Sequence, residues 1–211
     1  MIKSTLYRDK LDLIKKLVRP KTFVLDIGFF GQGVSFKSKN SPHNILSKIT
    51  KNLYGLDLDF PKESFDEKKY FRGNAETFES KIKYDYIFAG DIIEHLSNPG
   101  FFLESSSKNL KEKGKMIITT PNAFGLFNII EKIFKNEPTV NKEHTCYFNS
   151  KTISELISRY DLKITEISYI YTLNLTYSES FFKKIQNTIY WLLSKFTNKF
   201  IETLVIVVEK K

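Results

Sequence analysis

The chain has 211 residues, enough for one sizeable α/β core and too few for two comfortable domains. A hydrophobic share of 41% sets aside wholesale disorder, and the single cysteine, Cys146, excludes an intramolecular disulfide framework, which suits a reducing cytoplasm. The formal net charge of +9 reads as a Lys-rich solvated surface, or as a surface for an anionic partner such as a phosphate-bearing substrate, RNA or an acidic membrane face.

Residues 1–16 mix charge with isolated apolar positions, so no signal peptide is expected; no run of about 18 apolar residues predicts a spanning helix. Leu6, Leu11, Leu13, Ile14 and Leu17 recur near helical spacing ahead of Pro20 and predict an amphipathic helix over 4–19. Thr22 to Ile27 reads as a buried first strand closed by glycines. A polar loop over 34–44 leads into a helix from Asn44 to Thr50, and Leu53 to Asp57 reads as a second strand. A weaker strand follows near Tyr70–Arg72, and a strong fourth runs from Tyr84 to Ala89.

A helical pattern over Gly100–Leu110 precedes a fifth strand, Lys115–Thr120, stopped by Pro121. Helices over Phe124–Phe134 and Ser150–Arg159 lead to a sixth strand over Leu162–Tyr171. A helix over Phe181–Phe200 and a last strand over Leu204–Val208 complete the pattern. Strands alternate with helices almost throughout, which predicts an α/β domain with a mostly parallel, doubly wound sheet.

The glycine run Gly28-Phe29-Phe30-Gly31-Gln32-Gly33 follows the first buried strand, where small residues let a ligand approach the backbone. An ordinary tight turn explains the same run. Asp57 ends the second strand, where a carboxylate can accept hydrogen bonds from both hydroxyls of a ribose; Asp59 is the fallback. Asn74-Ala75-Glu76 follows the third strand and reads either as a ligand-facing segment or as a helix N-cap.

At these residues the chain resembles the class I S-adenosylmethionine-dependent methyltransferase family. Asp26, Gly28 and Gly33 match its Asp-x-Gly-x-Gly-x-Gly motif with one residue inserted, which leaves Gly31 out of register. Asn74-Ala75-Glu76 resembles its Asp-Ala-Glu segment. The resemblance is strongest from Tyr84 to Phe148. There Asp91-Ile92-Ile93-Glu94-His95-Leu96, Leu110 to Lys115, Thr119-Thr120-Pro121-Asn122 and Glu143-His144-Thr145 occur in the family's order.

The resemblance implies a single Rossmann-like methyltransferase domain over 1–211, with a seven-stranded sheet and a terminal antiparallel strand. An N-terminal helix over 4–19, a core over 20–171 and a C-terminal helix and strand over 178–210 would make it up. It implies S-adenosylmethionine as cofactor, with Asp26, Gly28, Gly31, Gly33, Asp57, Asn74, Ala75, Gly90 and Asp91 as cofactor-binding residues. It also implies His95, His144 and Asp91 as acceptor-positioning or catalytic residues, with His144 a candidate general base.

Asp91, Glu94, His95 and His144 also resemble the magnesium site of small-RNA 3′-terminal 2′-O-methyltransferases, and a similar acidic-x-x-Glu-His segment occurs in ubiquinone-type O-methyltransferases. No metal is expected on the first reading. On another, Glu94 and His95 cap and pack the following helix. Cys146 beside His144 reads as a small buried hydrophobe rather than a nucleophile.

Phe181, Ile185, Ile189, Leu192, Leu193, Phe196 and Phe200 share one helical face flanked by Lys183, Lys184 and Lys195. Packing on the sheet is the favoured reading; a membrane-surface helix that brings the enzyme to a lipid-linked acceptor is the other. Tyr190 and Trp191 fall off the stripe. The expected activity is methyl transfer to an oxygen or nitrogen of a small-molecule or glycan/lipid-linked acceptor. An RNA 2′-O-methyltransferase with a Mg-assisted site and a non-catalytic binder of the cofactor are the alternatives. An NAD-dependent oxidoreductase would use the glycine loop alone.

Overall fold

The computed structural model of the chain describes residues 2–30, 38, 40–61, 63, 65–135, 141–171, 188, 191–192 and 197–211. Within them run strands β1 (Leu6–Tyr7), β2 (Val24–Ile27), β3 (Leu53–Asp57), β4 (Tyr70–Arg72), β5 (Tyr84–Gly90), β6 (Leu110–Pro121), β7 (Leu162–Ile170) and β8 (Thr203–Lys210). The helices are α1 (Lys10–Leu17), α2 (Pro42–Ile49), α3 (Pro99–Asn109), α4 (Leu126–Lys135) and α5 (Ser150–Ser158). The strands form one sheet in the order β1-β7-β8-β6-β5-β2-β3-β4. All pairings are parallel except those of β8, which runs antiparallel to both β6 and β7.

The central strands are buried on both faces, so their sequences read as near-continuous apolar runs. Strand alternation still divides them between two cores. Val24, Phe88, Ile117, Val205 and Val207 point to one face, where Leu13 and Ile14 of α1 and Ile45 and Leu46 of α2 cover them. Leu25, Ile27, Ile87, Ala89, Met116, Ile118, Leu204 and Ile206 point to the other, beneath Phe102 and Leu103 of α3 and Ile153 and Ile157 of α5.

Two expectations need correction. The sheet has eight strands rather than seven. The extra one comes from the segment expected to begin a helix over 4–19, because Leu6–Tyr7 pairs parallel with Tyr169–Ile170. The reason is the fully buried Tyr7, whose hydroxyl donates to the buried carboxylate of Glu166 at 2.6 Å. The Thr5 N–H donates to Ser168 Oγ at 2.7 Å. These tertiary bonds override the local helical spacing, and α1 starts only at Lys10, capped by Asp9, which accepts the Asp12 N–H at 2.7 Å.

Most of the helix expected over 181–200 lies outside the described residues. Trp191 and Leu192 are helical and 45% and 46% exposed. Among the described residues no helix is long and apolar enough to cross a membrane.

Strand β2 has β3 on one side and β5 on the other, so successive strands are laid outward from it in opposite directions. The carboxyl ends at such a switch point form the crevice where open α/β sheets bind ligands.

Candidate active site

A cleft of about 480 Å³ opens beyond the ends of β2, β3 and β5, within the ~300–1,000 Å³ range of small-molecule pockets. Ile27, Gly28, Asp57, Asn74, Ala75, Asp91, Glu94, His95 and His144 all line it. The turn into it starts at Gly28, whose φ of 74° suits glycine and whose N–H donates to the Leu56 carbonyl at 2.8 Å. Phe29 then packs among Phe60, Phe65, Tyr70 and His43, with ring centroids 5.1–5.4 Å away. Gly55 makes the room, since a Cβ there would lie 2.7 Å from the Phe29 ring. The next N–H, of Phe30, donates to Asp57 Oδ2 at 2.9 Å and ties the turn to the end of β3. Gly31 and Gly33 lie outside the described residues.

Asn74 Oδ1 accepts the Glu76 N–H at 2.8 Å, so the residue caps a short turn and not the helix its sequence allowed. Its neighbour Ala75 forms apolar wall in the cleft, while Glu76 turns away and accepts the Asn98 N–H at 3.0 Å.

The structure places Asp26 elsewhere. Alternation puts its side chain on the face of Val24, under α2, and it does not line the main cleft. His43 Nδ1 lies 2.9 Å from Asp26 Oδ2, and the other ring nitrogen is 3.1 Å from the Tyr70 hydroxyl. Burial pushes the Asp26 carboxyl above its usual range, with His43 pulling against that shift. Through His43 it ties β2 to α2 and, beyond it, to Tyr70 of β4. Gly90 likewise faces a smaller cavity of about 90 Å³, which it shares with Lys10, Asp26, Gly28 and His43.

Asp91 follows β5 with a left-handed φ of 55°. Its N–H donates to the Thr119 carbonyl at 2.8 Å, and its Oδ1 accepts the Thr119 hydroxyl at 2.7 Å. Its Oδ2 pairs with Lys10 Nζ at 2.5 Å.

Glu94, in the 3-10 turn Ile93–His95, is only 2% exposed, as its packing reading expects, but makes no helix-capping hydrogen bond among the described residues. Its Oε2 accepts the Thr120 hydroxyl at 2.9 Å, while the buried Oε1 has no hydrogen-bond partner among the described residues. Burial, and then the charge of Asp91, push its carboxyl up to about 7.

The Glu94 carbonyl accepts the Thr145 N–H at 2.8 Å, which joins the 93–95 turn to residues 144–146. His95 and His144 meet edge to face with centroids 4.6 Å apart. Burial, reinforced by His95, lowers the basicity of His144. Donor atoms of Glu94, His95 and His144 lie within 4.8 Å of one another. Asp91 is not in that cluster, so three of the four residues of the metal alternative converge; the fourth is taken by Lys10 and Thr119. Cys146 is half-buried against the core, and burial holds its thiol above its ordinary pKa, which disfavours a nucleophilic role.

Sequence reasoning missed Lys10, Thr120 and His43. Thr120 stood inside a recognised segment with no role attached. His43 could have been sought as the partner of an acid buried in a strand. Nothing local marks Lys10.

The methyltransferase-domain family matches residues 7–167. A ubiquinone biosynthesis O-methyltransferase of Rickettsia akari (strain Hartford) is 25% identical over 154 residues, covering 70% of this chain and 61% of the relative. One of Rickettsia bellii (strain OSU 85-389) is 24% identical over 151 residues, covering 68% and 62%. The chain thus spans about three-fifths of the length of the curated relatives it matches.

Among solved structures, an S-adenosylmethionine-dependent methyltransferase from Archaeoglobus fulgidus aligns with a TM-score of 0.57 at 15% identity, covering 95% of this chain and 92% of that one. One from Mesorhizobium loti aligns at 0.59 with 10% identity, covering 94% and 96%. These likenesses establish a Rossmann-like methyltransferase fold. With the match over 7–167 and the cleft at the switch point of that fold, the chain belongs to the methyltransferase-domain family.

Proposed function

We propose that this chain is an S-adenosylmethionine-dependent methyltransferase acting on a hydroxyl oxygen of a small-molecule or glycan/lipid-linked acceptor. The observation that carries the reading is the Glu94–His95–His144 cluster, which opens onto the same cleft as Asp57 and Asn74. The similarity to ubiquinone biosynthesis O-methyltransferases favours oxygen over nitrogen.

The residues suit the cofactor. Among the described residues Asp57 Oδ1 meets only the Asp59 N–H, at 3.5 Å, and can accept from ribose hydroxyls. Asn74 and Ala75 would flank the adenine, and the backbone at Gly28 allows close approach of the methionine portion. S-adenosylmethionine supplies an electrophilic methyl carbon. The chain's own work is to hold an acceptor oxygen in line with it and to remove that oxygen's proton. His144, kept neutral by burial and by His95, is the proton acceptor in this reading, and His95 orients it.

The test is calorimetric titration with S-adenosylhomocysteine, then transfer of labelled methyl from S-adenosylmethionine to a panel of catechols, phenols and amines. Binding is expected in the micromolar range, with label entering hydroxyl acceptors. His144→Ala should cut turnover by roughly 10²–10⁴-fold, the scale of a general base, with cofactor affinity unchanged. No binding of either nucleoside would sink the proposal.

The unpartnered Glu94 Oε1 favours a second reading, in which Glu94, His95 and His144 hold a divalent cation. One carboxylate and two imidazoles suit Mn²⁺ or Zn²⁺ better than the oxygen-preferring Mg²⁺. Titration of metal-stripped protein with each ion separates the readings. Binding that disappears in His144→Ala supports the cation, and none in the wild type removes it.

A further inference from the structure

We propose that the edge of the sheet opposite the cleft is a docking surface for the phosphodiester backbone of a nucleic acid, held by Arg19, Lys21, Lys51, Lys113 and Lys163. The inference goes beyond the methyl-transfer reading and stands independently of it.

Topology is the first argument. Strands β2, β3, β5, β6 and β7 all run in one direction, so the turns that lead into them gather along one edge. Arg19 and Lys21 precede β2, and Lys51 precedes β3. Lys113 lies in the irregular start of β6, where pairing with β5 shifts register, and Lys163 stands at the start of β7. All are exposed. Neighbouring strands are about 4.8 Å apart, so the row from β7 to β3 is about 24 Å long. Cations spread over that length cannot converge on one small anion; they suit a polymer.

Charge is the second. Arg19, Lys21, Lys51, Lys113 and Lys163 make no ion pair among the described residues, whereas the acids around them are matched. Asp85 pairs with Lys111 at 2.9 Å, Glu112 with Lys210 at 3.2 Å and Glu209 with Lys115 at 3.7 Å. Before β4, Asp66 and Glu67 balance Lys68 and Lys69, so the basic row ends at β3. The other end of the strands has the opposite sign. There Asp57, Asp91, Glu94 and Glu143 line the cleft, with no lysine or arginine among the described lining residues.

Backbone conformation is the third. Lys21 and Lys113 have φ of 65° and 61°, which glycine adopts freely and lysine only under strain. Among the described residues only Asp91, in the cleft, shares that conformation without being glycine. Strained positions gather where a side chain has work to do, and these two turns present lysines to solvent.

The apolar surface separates a phosphate chain from a lipid surface. Segments that settle on bilayers set apolar side chains beside the basic ones. Among the described residues none of the exposed large hydrophobic side chains lies in the turns that hold these cations. A phosphate backbone asks for cations alone. The cleft lies about 20 Å away along the seven residues of β5, more than twice the Debye length of roughly 8 Å. A strand bound at this edge is therefore a tether and not the methyl acceptor.

The experiment is fluorescence anisotropy of labelled single-stranded RNA and DNA of mixed sequence, titrated with the protein at several salt concentrations. Both strands should bind, with a log–log salt slope of about −3 to −4, as expected when these five side chains neutralise phosphates of a single strand. Lys21→Asn, Lys51→Gln and Lys113→Asn combined should weaken binding at least tenfold and flatten the slope by about two. Asparagine suits the two left-handed positions, and an unchanged melting curve certifies the fold. Lys132→Gln, Lys142→Gln and Lys151→Gln combined remove the same charge elsewhere and should stay within twofold. Equal losses in the two variants mean that net charge alone is at work and overturn the proposal. So does a wild type that binds neither strand at low salt, or one that binds phosphatidylglycerol vesicles and neither strand. None of these results touches the cofactor reading, which S-adenosylhomocysteine titration tests separately.

Discussion

Two acid–imidazole pairs flank the end of the central strands, and they are built to opposite rules. On the α2 face, Asp26, His43 and Tyr70 satisfy one another, with both ring nitrogens of the histidine engaged. On the cleft face, Glu94 keeps one buried oxygen without a partner among the described residues, beside two histidines that pack edge to face. Buried polar atoms are nearly always paired, so an orphan next to an open cavity marks a place prepared for something else. The same residue types thus form a structural clamp on one face and, in the proposed reading, reactive groups on the other; satisfaction, not composition, separates them.

The largest effect that could break this contrast is on stability. Asp26→Ala removes one member of the satisfied pair and strands His43; it should cost about 3 kcal/mol in urea unfolding, the scale for breaking a buried pair. Glu94→Gln should cost nothing or stabilise at pH 8, because it removes a charge held in a desolvated site. Equal losses in the two variants would erase the distinction.

A smaller effect concerns ligand alone. Asp57→Ala should weaken S-adenosylhomocysteine by about 1–3 kcal/mol, and an unchanged dissociation constant would remove Asp57 from the site.

The smallest effect sharpens the contrast with a third acid. Glu202 also has its carboxyl pushed up to about 7 by burial, yet it accepts the Phe127 N–H at 2.8 Å and does not line the main cleft. Its folded form holds a proton that the unfolded form releases near 4.5, so its contribution to stability is fully present below that pH and is lost as pH rises towards 7. Relative to Glu202→Gln, the wild type should therefore lose melting temperature across that window and no more above it. Cofactor affinity should be the same in both proteins. A flat difference would mean the carboxyl is not held protonated by the fold.

How much of this was readable in the sequence depended on range. The alternation of strands and helices is written in short apolar runs such as Tyr84–Ala89, and the cleft segments around Glu94 and His144 are local patterns in a fixed order. β1 was not readable, because two residues become a strand only through Tyr169 and Glu166, far along the chain. Lys10 was unreadable for the same reason, its partner lying 81 residues away. Asp26 was placed in the cofactor site on motif grounds, whereas alternation with Leu25 and Ile27 sends its side chain to the face opposite theirs, towards His43 and the smaller cavity. Phe29, which stands between Gly28 and the out-of-register Gly31, packs against Gly55, where a Cβ would lie 2.7 Å from its ring.

β7 joins the sheet only through β8, and β1 only through β7. The edge carrying Lys10 therefore closes after the most distant pairing in the chain has formed, an entropically late event in folding. The same hierarchy run backwards makes this edge a separable unit of local opening. A nucleoside held at Asp57 alone would leave that unit untouched, whereas a ligand that also touched the start of α1, into which β1 leads, would reach across to the β1–β7–β8 edge. Amide exchange in β1, β7 and β8 would then slow together on occupancy, which makes the far side of the sheet a remote reporter of what sits in the cleft.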